Sequence, residues 1–246
     1  MPNPLTRKLE LFGSLPEVDR QLLDRIVTNR RSLKARTSII REGDEPADVH
    51  VVLSGMACRY KLLPDGSRHI FAYLLPGDFC DLHIFILNEM DHGIETLSSC
   101  EIADIPRSQI LEMTQRPELG RALWWATLVD EATLREWLVN LGQRDAIHRI
   151  AHLFCELHLR MKTIGLVGNG TLSLPITQAE LGETMGLSNV HVNRALQELR
   201  ASGLIEFKTG MLTVHDVDRL RKMSDFNSNY LHLGGGKRDK GSSAST

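Results

Sequence analysis

The sequence predicts an α+β protein with an N-terminal antiparallel β-barrel of the jelly-roll type, one long helix and a C-terminal winged helix-turn-helix. In the first part, strand-length apolar runs alternate with glycine turns at a near-constant step, a pattern typical of antiparallel barrels. Those glycines are Gly43, Gly55, Gly66 and Gly77. From Pro117 to about Gly142, helical periodicity continues without a glycine except near the ends. The stretch from Thr177 to Arg200 then has the pattern of two short helices joined by a glycine turn.

These patterns divide the chain into four segments. We expect a barrel domain at 1–116, the long helix at 117–143, the winged helix-turn-helix at 144–223 and a disordered tail at 224–246. The tail is rich in Gly, Ser and Lys, a composition that supports no packed core. In the barrel, strands are predicted at 50–53, 57–62 and 70–74.

The long helix is apolar on more than one side, so it needs two packing partners. The barrel is one partner, and a second copy of the same helix is the natural other. We place the seam of this homodimer at Trp125, Val129 and Ala132. Burial of the helix within a monomer is the alternative.

The helix-turn-helix has a start signal, a turn signal and a buried stripe. Thr177 and Glu180 form a T-x-x-E capping box, Gly186 lies where the chain must turn sharply, and Ser188 is a good N-cap for the second helix. Three apolar residues of that helix repeat at helical spacing and are expected inside. They are Val192, Leu196 and Leu199.

The same spacing leaves a mostly polar face outside, where the first turns of a recognition helix meet base edges. Its members are Asn189, Val190, His191, Asn193, Arg194 and Gln197. Two short apolar runs joined by a Lys-Thr-Gly turn follow, which predicts a wing with Lys208 near its tip, within reach of a phosphate. The alternative interpretation is a helical hairpin packed inside a larger domain.

Composition excludes several classes of protein. The chain has 42% hydrophobic and 24% charged residues and a formal net charge of −2. A local basic face is enough for nucleic acid, although the net charge predicts weak non-specific affinity. No apolar run approaches the roughly 18 residues of a membrane span, and no signal-peptide pattern is present. We therefore expect a cytoplasmic protein without a membrane partner.

In the order barrel, long helix, helix-turn-helix and wing, residues 12–222 resemble the Crp/Fnr family of bacterial transcription regulators. The most specific parts are the glycine-spaced barrel and the stretch TQAELGETMGLSNVHVNRALQELRASGLI, and Cys100–Pro106 resembles the last barrel strand of the family. The resemblance implies a regulator and not an enzyme. Its cyclic-nucleotide-binding-like barrel would sense a signal, its long helix would form a homodimer, and two recognition helices would read a palindrome in double-stranded DNA. RNA polymerase would be a further partner if the protein activates transcription.

The recognition helix departs from the best-known members, in which it begins Ser-Arg-Glu-Thr-Val. Here Asn189 and Val190 replace the Arg and the Glu, whereas Arg194 is retained and can grip guanine O6 and N7. We expect a half-site that keeps this guanine and differs beside it. Ser188 and His191 are better placed for phosphates. Four further residues complete the predicted DNA interface, namely Thr177, Asn193, Gln197 and Lys208.

In the barrel, Asp81-Leu82 stands where cyclic-nucleotide members have Glu-Leu, and we expect an effector pocket at Asp81, Leu82 and His92. The segment 88–93 contains no arginine, and Glu89 and Asp91 would repel a phosphate there. An unpaired phosphate charge is costly to bury. We therefore do not expect cAMP or cGMP to be the effector.

No cofactor and no metal site are predicted. The four cysteines form no C-x-x-C motif, and residues 1–57 contain none, which argues against an iron–sulfur cluster. A haem-based gas sensor stays open as an alternative, because the carbon-monoxide sensor of the family uses a proline near its N-terminus and a histidine after a Gly-Asp turn. Pro2 and His83 match those features.

Two rival functions come from other classes. A cupin-type enzyme would need a His-x-His and Glu set on inward strands, but the barrel histidines are scattered. They are His50, His69, His83 and His92. A regulatory ligand-binding module that acts on a protein partner is the other rival. It would be favoured if alanine at Arg194 and Asn189 left all activity intact.

Overall fold

The structure of the protein is a computed structural model that describes residues 2–233. Its helices are α1 (Pro4–Leu9), α2 (Glu17–Ile26), α3 (Ile84–Leu87), α4 (Arg107–Thr114), α5 (Pro117–Gln143), α6 (Ala146–Thr163), α7 (Gln178–Met185), α8 (Asn189–Ala201) and α9 (Val217–Met223), with a 3₁₀ segment at Ser228–Leu231. Its strands are β1 (Arg30–Leu33), β2 (Ser38–Ile40), β3 (Asp48–Ser54), β4 (Ala57–Leu62), β5 (Arg68–Leu74), β6 (Gly93–Thr96), β7 (Cys100–Pro106), β8 (Thr171–Ser173), β9 (Ile205–Lys208) and β10 (Met211–Val214). Within residues 2–233, no helix is both long enough and apolar enough to cross a membrane.

The N-terminal part is a pair of antiparallel sheets, which confirms the predicted class. The strand orders are β1-β7-β3 and β2-β6-β4-β5. Of the turn glycines, Gly55 has φ +82°, and a Cβ there would lie 2.2 Å from the Ser99 carbonyl oxygen. Only glycine fits such a turn. The strands predicted from apolar runs are present, whereas β1, β2 and β6 are short and lack a clear alternation, so the sequence did not reveal them.

The molecule has two large apolar cores. The first fills the barrel and includes α1, α2, α4 and the start of α5. The second joins the winged helix to the outer side of β4 and β5, where Cys58, Ile70 and Tyr73 pack with residues of α6, α7 and α8. The helix-turn-helix unit therefore packs directly against the barrel sheet.

Helix α5 runs where it was predicted, but two of the three predicted seam residues, Val129 and Ala132, are already buried within the chain. Val129 and Ala132 are only 6% and 4% exposed, and Trp125 is half-buried beside Phe12, because this face is covered by the chain itself. Ala132 packs against Tyr230 and Leu231 near the C-terminus. The exposed apolar residues of α5 lie on a neighbouring side. They are Trp124, Leu128, Leu134, Leu138 and Val139.

Residues 224–233, which were expected to belong to a disordered tail, are packed on the rest of the protein. Tyr230 and Leu231 are 8% and 2% exposed, and the Tyr230 hydroxyl donates a 2.9 Å hydrogen bond to Glu156 Oε2. Two large apolar side chains in a polar stretch thus anchor residues 224–233 to the body of the protein. Residues 234–246 lie outside the described residues.

Candidate nucleic-acid interface and signal cleft

The helix-turn-helix owes its shape to a few local contacts. The Thr177 side chain accepts from the Glu180 amide at 3.2 Å, and the Glu180 carboxylate accepts from the Thr177 amide at 2.7 Å, which completes the capping box. Gly186 is left-handed with φ +63°. A Cβ on Gly182 would lie 2.6 Å from the Leu187 carbonyl oxygen, so the turn packs closely on α7.

Helix α8 shows the predicted division into two faces. The three stripe residues Val192, Leu196 and Leu199 are fully buried. The Ser188 hydroxyl accepts a hydrogen bond from the His191 amide at 3.4 Å, and the same hydroxyl lies 2.9 Å from His191 Nδ1, to which it is also hydrogen bonded. The predicted contact residues of α8 are all exposed, namely Asn189, Val190, His191, Asn193, Arg194 and Gln197. Val190 is 67% exposed, so this apolar side chain has little part in the core.

The wing follows α8 directly in the chain. Strands β9 and β10 form a hairpin whose turn contains Thr209 and Gly210, both at positive φ, and exposed Lys208 lies beside it. Strand β8, which the sequence did not reveal, adds a third antiparallel strand. Arg200 near the end of α8 donates to the Phe207 carbonyl oxygen at 2.6 Å, which ties α8 to the wing. Thr177, at the N-cap of α7, is also exposed.

The back of the helix-turn-helix is held by the barrel through polar contacts. The Tyr73 hydroxyl of β5 lies 2.5 Å from Thr184 Oγ1, in a buried position. Arg68 of the same strand pairs with Glu183 at 2.8 Å, and Arg36 forms an ion pair with Glu180, the residue that caps α7. The barrel and the unit that carries α8 are therefore linked by charged and hydrogen-bonded groups as well as by the shared core.

A buried polar network joins the same parts at a second place. Glu156 of α6 has no exposure, and its carboxylate accepts from Arg160 at 3.1 Å, from Trp137 Nε1 at 2.9 Å and from the Tyr230 hydroxyl. Arg160 also pairs with Asp78 in the barrel at 2.8 Å. Burial alone would raise the pKa of Asp78, but Lys8 and Arg160 more than offset it and hold that pKa at about 2. Asp78 is thus the charged link between the barrel and α6.

A cleft of ≈ 850 Å³ lies between the barrel and α5. Leu82 and His92 line it as predicted, together with Arg59 and Asp130. Asp81 does not line this cleft, which corrects the sequence-based assignment. Its carboxylate is fully buried, where it accepts from the His50 amide at 2.7 Å and contacts His50 Nδ1 at 2.6 Å.

Positively charged side chains line the cleft, and none of them was among the pocket residues predicted from the sequence. They are Lys8, Arg59, Lys61 and Arg160. Each of them has an acidic partner in the structure. Arg59, for example, pairs with Asp130 at 3.1 Å and donates to the carbonyl oxygens of Phe79 and Cys80. Because these groups come from distant segments, no single motif in the sequence could have revealed their convergence.

The cysteines have the character of buried apolar residues. All four are free and buried. Burial raises the pKa of Cys58 to about 12 and that of Cys155 to about 11, and it raises the pKa of Cys80 and Cys100 as well. These side chains are therefore thiols at neutral pH and not reactive thiolates.

Comparison with known proteins agrees with this architecture. Residues 148–223 match the family described as the Crp-like helix-turn-helix domain, and residues 30–116 match the cyclic nucleotide-binding domain. The transcriptional activator protein FnrL of Cereibacter sphaeroides is 30% identical over 181 residues, 71% of each chain. The nitrogen fixation regulation protein FixK of Bradyrhizobium diazoefficiens is 28% identical over 189 residues, 76% of this chain and 78% of FixK.

A solved structure extends the match to three dimensions. FixK2 from Bradyrhizobium japonicum has a TM-score of 0.72 and 25% identity, and the match covers 79% of this chain and 96% of that chain. The order of domains, the Crp-like helix-turn-helix and these relatives agree with one another. The chain therefore belongs to the Crp/Fnr family of transcription regulators, which are not enzymes.

Proposed function

We propose that the protein is a homodimeric, sequence-specific DNA-binding regulator that reads a palindromic site with α8. The observation that carries this proposal is the division of α8 into a face locked in the core and a face of exposed side chains. A helix fixed in this way presents its outer residues in one orientation, as readout of base edges requires. The exposed Lys208 of the wing adds a phosphate contact.

Arg194 is the residue we assign to a guanine in each half-site. An arginine side chain reaches guanine O6 and N7 together in the major groove. Val190, exposed in the first turn of α8, fits a thymine methyl group, and Asn189 fits an adenine or a phosphate. The half-site is therefore expected to differ from the usual family sequence beside the guanine.

The dimer is formed, on this proposal, by the exposed apolar side of α5 that includes Trp124, Leu128 and Leu138. These side chains are 70%, 51% and 64% exposed, and an apolar stripe of this kind is typical of an interaction surface. Glu131 and Arg135 lie on the same side and pair with each other at 2.6 Å. A second copy of α5 would cover the stripe and set the spacing of the two recognition helices.

The cleft beside α5 is the proposed signal site. A ligand there would contact the barrel and α5 at once, and it could shift the arrangement of the recognition helices by binding one arrangement more tightly. We propose that cAMP and cGMP are not this ligand. The cleft cations already have acidic partners, so a cyclic phosphate would have to displace a carboxylate. Because FnrL is named an activator, we also propose RNA polymerase as a partner.

The test is a gel-shift titration at fixed salt on DNA from upstream of the protein's own gene, with and without cAMP and cGMP. Wild-type protein is expected to bind specifically without nucleotide. Arg194→Ala should weaken specific binding by about 5- to 150-fold, the equivalent of about 1–3 kcal/mol. Arg25→Ala, at an exposed arginine of α2, is the matched control and should bind normally.

Two results would contradict the proposal. Equal binding by Arg194→Ala and wild-type protein would remove α8 as the reading element. Binding that requires cAMP would show that a cleft cation exchanges its carboxylate partner for the phosphate.

A further inference from the structure

Three potential metal ligands come together at the wall of the cleft. No sequence motif indicated that they would do so. His83 lies at the N-cap of α3, and Asp91 and His92 precede β6. The segment between them folds back, with Asn88 at φ +69°. As a result, one ligand atom from each of His83, Asp91 and His92 lies within 4.8 Å of the others.

Both imidazoles have a buried nitrogen without a partner. Nε2 of His83 and Nε2 of His92 accept or donate no hydrogen bond within the described residues, and His92 is only 8% exposed. Most buried polar atoms are paired, so two orphaned nitrogens in one place need an explanation. A shared ligand would satisfy both.

Asp91 fixes the state of His92 that a metal needs. Its Oδ1 lies 2.5 Å from His92 Nδ1, an arrangement in which Nδ1–H donates a hydrogen bond to the carboxylate and the lone pair stays on Nε2. The Asp91 side chain is 85% exposed, so it can exchange this hydrogen bond for a bond to the ion. His92 is held from the other side by an edge contact with Phe71, whose ring centre is 5.3 Å away.

The charges around the cluster balance a cation. Asp91 belongs to the cluster, and the carboxylate of Asp130 lines the same cleft. Arg59 acts in the opposite sense, but its guanidinium is engaged by Asp130 and by two carbonyl oxygens. Lys61 donates to the Asp91 carbonyl oxygen at 2.6 Å and is paired with Glu42. The site therefore has acidic groups near it, and both of these neighbouring cations are already engaged by carboxylates.

We propose that His83, His92 and Asp91 bind a divalent transition-metal ion of the Zn²⁺ type, through the two imidazole Nε2 atoms and the carboxylate. Imidazole and carboxylate ligands suit such ions. Ligands at about 2.0–2.2 Å from one ion lie within about 4 Å of each other, so modest side-chain rotations close the present set. Because the cluster lines the cleft, the remaining coordination position would face it and could take water or a small anionic ligand.

This inference goes beyond the proposed DNA-binding function and can be tested without DNA. Untagged, full-length protein is titrated with Co²⁺ while visible d–d absorption is recorded, and Zn²⁺ is then added as a competitor. We expect one Co²⁺ per chain, with displacement by Zn²⁺. His83→Ala and Asp91→Asn should each weaken the affinity about tenfold or more.

The matched control is His215→Ala, which removes an exposed histidine outside the cluster and should leave the titration unchanged. Asp91→Asn is the key variant, since its exposed side chain can change without disturbing the core, and thermal melts without metal check the fold of each variant. Absence of saturable Co²⁺ binding, or equal binding by wild type, His83→Ala and Asp91→Asn, would overturn the proposal. So would a haem complex whose Soret band needs His83 but not Asp91.

Discussion

The helix-turn-helix and the cleft are built in opposite ways. In the helix-turn-helix, the contacts that shape the two helices and their turn join residues a few positions apart, as in the capping pair Thr177 and Glu180. In the cleft, Arg59 meets Asp130 of α5, and Arg160 of α6 meets Asp78 of the barrel. Local contacts follow from turn and helix geometry and can be recognised in a sequence. Convergence of distant segments depends on the whole fold, and there the sequence alone gives only part of the site, since Leu82 and His92 line the cleft but Asp81 does not.

The largest expected effect breaks the long-range network. Glu156→Ala should lower the free energy of unfolding by about 3–5 kcal/mol, because it removes one of the two carboxylate partners of Arg160 and leaves the buried Trp137 and Tyr230 donors without an acceptor. Urea unfolding followed by far-UV circular dichroism measures the change. Glu45→Ala, at an exposed glutamate, is the control and should shift stability little. A loss below about 1 kcal/mol for Glu156→Ala would contradict the assigned role of the network.

The next effect separates two neighbouring residues of α5. Leu128→Asp should keep the fold and weaken the dimer about 100-fold, because it places an unpaired carboxylate in the proposed apolar interface. Val129→Asp should instead destabilise the protein itself, since Val129 is 6% exposed. Sedimentation equilibrium and thermal melts distinguish the two outcomes. If Leu128→Asp remains dimeric at the same concentrations as wild type, the interface lies elsewhere.

The pair Leu128 and Val129 also shows how much of α5 could be predicted from the sequence. The position of α5 could be predicted from its periodicity and its initial proline. Which of its two apolar stripes faces the chain itself could not, because that depends on Tyr230 and Leu231 packing on Ala132. The signal for this contact was the presence of Phe226, Tyr230 and Leu231 in an otherwise polar tail.

The candidate sites divide in the same manner. The exposed set on α8 follows from one repeat, Val192, Leu196 and Leu199, and the structure has these residues fully buried. Asp81 was expected to face a ligand, but its carboxylate is held by His50 of β3. A family motif gives the position of such a side chain and not the partner that the fold supplies.

A smaller effect comes from buried His152, which extends the network region toward the C-terminal segment. Burial and, secondarily, Arg144 lower its pKa to about 3, so the unfolded state takes up the proton first as pH falls. Stability is therefore complete above about pH 6.5 and declines toward pH 3, by at most about 1.4 kcal/mol per pH unit. His152→Leu should flatten this slope between pH 6.5 and 5 in urea unfolding, whereas His215→Ala should keep it. An unchanged slope in His152→Leu would assign the pH dependence to other groups.

The smallest effect concerns the wing. Lys208→Ala should reduce DNA affinity equally for all sequences and lower the slope of log affinity against log salt by about one, as expected for the loss of one phosphate contact. Fluorescence anisotropy with labelled DNA at several salt concentrations measures it. Lys34→Ala, at an exposed lysine of the barrel domain, should leave the slope unchanged. A sequence-dependent loss in Lys208→Ala would mean that the wing reads bases.

The measurement that tests the central claim most directly is sequencing of the DNA fragments that wild-type and Arg194→Ala proteins select from a random pool. Wild-type protein should select an inverted repeat with half-site centres about one helical turn apart and a fixed guanine in each half. Arg194→Ala should lose preference at that guanine and keep the remaining positions. Fragments without an inverted repeat, or the same guanine selected by Arg194→Ala, would contradict readout by a dimer through α8.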